Sequence, residues 1–90
     1  MSPRTANGWR AFWRDRGERE LERLLAEAWE PARPGDATRI ATLLGSRAGV
    51  DALAQELARM RAEHGAPRDD AADRRAAERV AVWFAAAAAA

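Results

Sequence analysis

The stretch AGVDALAQELARMRAEH, at residues 48–64, decides the fold. Its apolar residues recur at spacings of three and four, which is the period of one face of an α-helix. Gly65 and Pro67 follow it, as is typical of a helix end. The apolar stripe consists of Val50, Leu53, Ala54, Leu57 and Met60. The stretch therefore predicts an amphipathic helix whose apolar face must be covered by other parts of the chain.

Two prolines and a glycine precede this stretch, in EPARPGD at residues 30–36. Because a proline disfavours the α conformation of the residue before it, a helix that enters this segment ends at its first residues. That earlier helix is predicted from about Asn7 to Trp29, and a break near Gly17 stays open. Its apolar stripe consists of Trp9, Phe12, Trp13, Leu21, Leu24, Leu25 and Ala28.

Residues 36–46 carry the signals of a short helix. Asp36 offers a side-chain oxygen as the N-cap of a helix over 37–44. Gly45 suits the left-handed exit of that helix, and Ser46 suits the cap of the helix that follows. These residues predict a second helix between the two longer ones.

A fourth helix is predicted after Pro67. Asp69 or Asp70 is expected to cap it, and Asp73 is expected to lie near the positive end of its dipole. The alanine tract at 85–90 is expected to fray, because a terminal tract that faces solvent has little to pack against. The inward face is predicted to consist of Ala72, Ala76, Val80, Trp83 and Phe84.

The length of the chain agrees with these helices. Ninety residues with few large apolar side chains can fill a thin bundle, but not the space between a sheet and its covering helices. We therefore expect an all-α protein, a single compact bundle of about four helices that forms one domain over residues 1–90. Its N-terminal segment, residues 1–16, is rich in arginine and tryptophan.

The charges of the chain nearly balance, with 15 basic and 14 acidic residues and a formal net charge of +1. All the basic residues are arginines, which GC-rich codon usage explains more simply than phosphate binding does. A nucleic-acid surface usually has a strong positive excess, so nucleic acid is not the expected partner. The chain has no cysteine, and no stretch resembles a signal peptide or a membrane span. These features predict a cytoplasmic protein.

No group of residues points to catalysis, a metal ion or a cofactor. The single histidine, His64, has no serine, threonine or cysteine near it in the sequence to act as a nucleophile. We expect it to interact with the end of its own helix. Capping and the helix dipole explain Asp69, Asp70 and Asp73, whereas a divalent metal ion needs oxygens that converge from several elements. We expect a protein that is not an enzyme and binds no cofactor.

The most distinctive stretch is RTANGWRAFWRDR, at residues 4–16. Three interpretations stay open. Its aromatic side chains complete the core while its arginines reach outward. Alternatively, they form an exposed patch for a protein partner, since Trp and Arg are enriched at the centres of such interfaces, or the segment contacts a membrane surface or a nucleic acid. As a partner-binding patch it would use Trp9, Arg10, Phe12, Trp13, Arg14 and Arg16.

Two further tryptophans are expected to fill the core. Trp29 lies just before the proline break, and Trp83 lies near the end of the last helix. A buried indole N–H needs a hydrogen-bond acceptor. We expect a backbone carbonyl of the loop at 31–34 to supply it.

The order of these segments resembles a family of small uncharacterised bacterial proteins that share a Trp-Asp-Pro motif. The matching stretches are LLAEAWEP at 24–31, ATLL at 41–44, ALAQEL at 52–57 and the late Trp83. Here Glu30 stands where the family usually has aspartate, and the Ile-Gly that commonly follows the proline is missing. The resemblance implies a bundle of about four helices and implies no activity. Some small helical proteins of this kind act as immunity or antitoxin partners, which is an analogy of fold alone.

The function expected from these patterns is binding to another macromolecule, most simply a protein. Two alternatives stay open. One is a nucleic-acid accessory protein that uses the arginines of the N-terminal segment on phosphate, with binding that weakens steeply as salt is added. The other is a structural homodimer in which the aromatic stripe forms a two-fold interface.

The N-terminal interpretations differ in what they predict for a Trp9→Ala, Trp13→Ala double variant. If the two rings form a partner-binding patch, partner binding weakens while helicity and the melting temperature stay almost unchanged. Circular dichroism and a pull-down experiment measure the two effects. Unfolding of the double variant would assign both rings to the core and remove the patch as a binding site.

Overall fold

Four α-helices follow one another along residues 16–89, the part of the chain that the computed structural model describes. These helices are α1 (Glu18–Ala28), α2 (Asp36–Gly45), α3 (Val50–Glu63) and α4 (Asp70–Ala89). No strand occurs within this range. The prediction of an all-α bundle of about four helices is confirmed.

The proline segment ends α1 as predicted. Trp29 leaves the helix in an extended conformation, with φ −141° and ψ 104°. Its backbone N–H still donates to the carbonyl of Leu25 at 2.8 Å. At the other end of α1, Arg16 and Gly17 are π-helical, and Gly17 is buried. The first part of the predicted helix, residues 7–15, lies outside the described residues.

The predicted caps of α2 and α3 are wrong. Asp36 is the first residue of α2 and makes no cap, because its carboxylate accepts the backbone N–H of Arg33 at 2.8 Å and contacts His64. Ser46 does not cap α3, because its hydroxyl donates back to the carbonyl of Thr42 at 3.2 Å. α3 begins instead after Gly49, which has no side chain to cap with.

α2 and α3 end in the same hydrogen-bond pattern, the Schellman motif, in which one residue adopts a left-handed conformation. In α3 that residue is Gly65, with φ 73°, as predicted. In α2 it is Arg47, with φ 61°, so the expectation for Gly45 is wrong. At the end of α2, the backbone N–H of Ala48 donates to the carbonyl of Leu43, and that of Arg47 donates to the carbonyl of Leu44. At the end of α3, the N–H of Ala66 donates to the carbonyl of Arg61, and that of Gly65 donates to the carbonyl of Ala62. The helix therefore continues through Gly45, and the turn follows two residues later.

The caps and faces of the other helices largely follow the sequence. The Asp69 carboxylate accepts the backbone N–H of Ala72 at 3.0 Å, which confirms one of the two predicted caps of α4. α4 packs against α3 and α1, and α2 packs against α1 and α3. The buried core consists of Leu21, Leu25, Trp29, Ala37, Ile40, Leu44, Leu53, Leu57, Met60, Ala76, Ala77 and Val80.

α4 contributes a narrow apolar face. Ala76 and Val80 are buried as predicted, Ala77 joins them, and Trp83 and Phe84 are half-buried at the edge of the core. The helix continues through the alanine tract to Ala89, and the fraying of that tract stays a prediction. Among the described residues, no helix has both the length and the apolar character needed to cross a membrane.

The two Schellman ends predict opposite effects of the same substitution. Among the described residues, no atom lies within 4 Å of a Cβ added at Gly45 or Gly65, so neither alanine would clash. Gly45→Ala, in helical conformation, should raise the free energy of unfolding by about 0.5 kcal/mol, because alanine loses less backbone entropy. Gly65→Ala should lower it by about 1 kcal/mol, because alanine is strained at positive φ. Urea unfolding measures both, and shifts of the same sign would contradict this account of the helix ends.

Candidate functional site

A buried hydrogen-bond network joins the end of α1 to α3 and α4. Trp29 and Asp73 are only 1% and 2% exposed. The indole Nε1 of Trp29 donates to Oδ1 of Asp73 at 2.8 Å, and Nε of Arg61 donates to the same oxygen at 2.9 Å. Nη1 of Arg61 donates to the carbonyl of Pro67 at 3.0 Å. The guanidinium lies 5.8 Å from the centre of the Trp29 ring, within cation–π range.

Two expectations are corrected by this network. The acceptor of the Trp29 N–H is a carboxylate of α4 and not a carbonyl of the loop at 31–34. Asp73 does not simply complement the helix dipole, because its side chain is buried and receives donors from two other elements. A sequence signal for this role existed. Asp73 lies on the same helical stripe as Ala76, Ala77 and Val80, and an ionisable residue on an apolar stripe calls for a buried partner.

The second carboxylate oxygen of Asp73 has no such donor. Oδ2 is buried, and among the described residues it has no hydrogen-bond partner. We call this atom the open acceptor. A buried acceptor without a donor is rare in native proteins and requires an explanation, because the desolvation of the atom is not compensated.

Asp73 also lines a surface groove of about 360 Å³. The groove lies along α3, the loop after it and the beginning of α4, and we call it the α3–α4 groove. Its apolar part is made of three alanines, and its polar part combines arginines with aspartates. It is lined by Ala58, Arg59, Arg61, Ala62, Ala66, Arg68, Asp70 and Asp73. An adjoining hollow shares Ala58, Arg68, Asp70 and Asp73 and extends towards Gln55, Asp51 and Arg74.

The charges around the α3–α4 groove are matched in pairs. Each arginine that lines the groove or the adjoining hollow is bound to a carboxylate. The pairs are Arg59 with Glu56 (2.6 Å), Arg61 with Asp73 (2.9 Å), Arg68 with Asp70 (2.9 Å) and Arg74 with Asp51 (2.5 Å). The groove therefore has polar walls without a large excess of either charge.

These pairs also affect protonation. The hydrogen bond from Arg68 lowers the pKa of the Asp70 carboxyl, and that bond raises the pKa of Arg68. The pKa of Glu56 is lowered, first by its hydrogen bond from Arg59 and then by that from Arg39. Both carboxylates are held in the charged form that pairs with arginine.

A second polar cluster holds the proline segment against the end of α3. Nε2 of His64 lies 2.9 Å and 3.1 Å from the two carboxylate oxygens of Asp36. Nη2 of Arg33 donates to the carbonyl of His64 at 3.0 Å, and the His64 ring lies 6.2 Å from that of Trp29. The His64 ring thus contacts a residue of α2, and its expected interaction with the end of its own helix stays a prediction. Within residues 16–89, no group of three or more His, Cys, Asp or Glu is placed to hold a metal ion.

Of the six residues predicted from the sequence to bind a partner, only Arg16 lies within the described residues, and their role stays a prediction. Arg16 is exposed and lines a hollow on α1 with Arg19, Glu20 and Arg23. The other five lie outside the described residues, namely Trp9, Arg10, Phe12, Trp13 and Arg14. Sequence reasoning missed the α3–α4 groove, because the groove combines residues of two helices and the loop between them.

Comparison of this chain with known protein families, with curated proteins and with solved structures finds no match.

The buried ion pair predicts a large difference between two neighbouring arginines of α3. Arg61→Met removes the charge that faces Asp73 and should lower the free energy of unfolding by about 3 kcal/mol, since it leaves a buried carboxylate without its counter-ion. Arg59→Met removes an arginine that is 61% exposed and should lower it by less than about 1 kcal/mol. Urea unfolding of both variants gives the comparison. Equal losses would show that the Arg61–Asp73 pair does not stabilise the fold.

Proposed function

We propose that this protein is a helical module that binds another protein through the α3–α4 groove. The observation that supports this most is the open acceptor of Asp73 beside an apolar floor. A buried acceptor that lacks a donor costs about 1–3 kcal/mol. A partner that supplies the donor recovers that free energy on binding, so the groove is better suited to a complex than to the free protein.

The composition of the groove also supports a protein partner. Ala58, Ala62 and Ala66 offer a floor of small apolar side chains, which allows close approach of another surface. Arg59 and Arg68 stand beside it, and arginine is enriched at the energetic centres of protein interfaces. The pairing of these arginines with carboxylates disfavours phosphate, which needs arginines whose charge is not already matched.

The proposal retains three expectations from the sequence. The N-terminal residues Trp9 to Arg16 form a second contact region for the same partner. The likeness to small bacterial bundle proteins supports an immunity- or antitoxin-like role, in which the protein binds a partner protein. A chain without cysteine suits the reducing cytoplasm.

Site-specific photo-crosslinking in cells of the native host tests the proposal. Gln55 is exposed beside the groove, so p-benzoylphenylalanine placed there should crosslink to a bound partner. Ala62→Leu fills the floor of the groove and should remove at least about nine-tenths of the crosslinked product, as expected for loss of roughly 1.4 kcal/mol of binding free energy. Ala26→Leu, an equal change on the exposed face of α1, should leave the product unchanged.

The outcomes separate the alternatives. A product that Ala62→Leu removes and Ala26→Leu keeps supports the proposal. A product with the mass of two copies of this chain would replace it with self-association. A partner that is nucleic acid, recognised by a steep loss of binding with salt, or a product insensitive to Ala62→Leu, would overturn it.

A further inference from the structure

The burial of the open acceptor limits which donor groups of a partner can reach it. Oδ2 of Asp73 is buried, whereas Arg68 and Asp70, which line the groove with Asp73, are 85% and 65% exposed. The donor must therefore stand at the far end of a side chain that passes between these exposed groups. Displacing the Arg68–Asp70 pair costs little, because exposed ion pairs contribute little to stability.

The charge of the groove excludes most types of donor. The carboxylate of Asp73 is already paired with Arg61, and Arg59 and Arg68 also line the groove. An ammonium or guanidinium group would meet three arginines, and a carboxylate or phosphate would meet the acceptor itself. A neutral donor such as a hydroxyl fits both the charge balance and the acceptor.

The residues that line the groove favour a hydroxyl that is attached to an aromatic ring. The alanine floor is apolar, and the guanidinium groups of Arg59 and Arg68 can lie over the face of a ring. Among protein side chains, tyrosine has an apolar ring with a hydroxyl at its tip. The groove volume of about 360 Å³ leaves room for one such ring.

We infer that the α3–α4 groove receives a tyrosine side chain of the partner, whose hydroxyl donates to Oδ2 of Asp73. This inference rests on the proposed function, because it identifies the partner residue that enters the same groove. It gives a donor to Oδ2, which accepts none among residues 16–89, whereas Oδ1 of Asp73 accepts two.

The test uses two neutral probes that differ only in the hydroxyl, N-acetyltyrosinamide and N-acetylphenylalaninamide. Each is titrated into the full-length ¹⁵N-labelled chain, and the amide shifts of Ala58, Ala62 and Ala66 are followed by NMR. The tyrosine probe should bind about tenfold more tightly, as expected for a hydrogen bond to a charged acceptor. Both probes should lose these shifts in Ala62→Leu and keep them in Ala26→Leu.

A second variant tests the acceptor itself. In Asp73→Asn, the amide oxygen can take the place of Oδ1 and still accept from Trp29 and Arg61. The NH₂ group of the amide then takes the place of Oδ2. The tenfold preference for the tyrosine probe should then fall to about twofold or less, as expected when the donor meets another donor. Circular dichroism checks that the variant is folded, and the comparison of the two probes on the unchanged chain does not depend on it.

Each outcome has one meaning. Equal binding of the two probes, or shifts elsewhere than the groove, would overturn the tyrosine inference while a groove-dependent crosslink would still support the proposed function. A tyrosine preference at the groove without any protein crosslink would support the inference about groove chemistry and contradict the protein-binding function. Equal probe preference in the parent chain and in folded Asp73→Asn would remove Oδ2 as the acceptor.

Discussion

One carboxylate oxygen, Oδ1 of Asp73 in the first turn of α4, joins the end of α1 to the end of α3. It receives the indole N–H of Trp29 and the Nε–H of Arg61, and each donor comes from a different element. A buried carboxylate is stable only when such donors and a counter-charge surround it. The position of Trp29 therefore depends on α4, although Trp29 belongs to the end of α1.

The thin core explains why a polar network can have this influence. α4 contributes alanines and one valine to the centre of the bundle, and such small side chains fix the relative position of two helices weakly. Hydrogen bonds to a buried charge are directional, so they fix the relative position of two helices more specifically than small apolar contacts do. Their net contribution to the free energy of unfolding is smaller than their number suggests, because burying the charges costs desolvation free energy. The His64–Asp36 contact does the same for the loop between α1 and α2, which it joins to the end of α3.

The proposed binding site follows from the same network. Both donors approach one oxygen of Asp73, and the other oxygen of this groove-lining residue has no partner in the described part of the chain. The ion pairs around it leave no strong field that would attract a charged ligand. The ligand that fits this groove best is a neutral hydrogen-bond donor attached to an apolar group. A protein side chain can supply both, whereas a phosphate or a metal ion cannot.

The sequence by itself determined the four helices, the stop before the prolines, a cap of α4 at Asp69 or Asp70 and the apolar stripe of α3, because these depend on local backbone preferences and on helical period. The conformations of Gly45 and Arg47 were decided by how the last turn of α2 closes. The roles of Asp36, Asp73 and Arg61 were decided by tertiary structure alone. Their side-chain partners lie on other elements: Asp36 contacts His64 28 positions away, Arg61 pairs with Asp73 across 12 positions, and Asp73 pairs with Trp29 across 44. Local patterns show that a charged residue lies on an apolar face, but only the packing of the helices decides which donor meets it and which oxygen stays open.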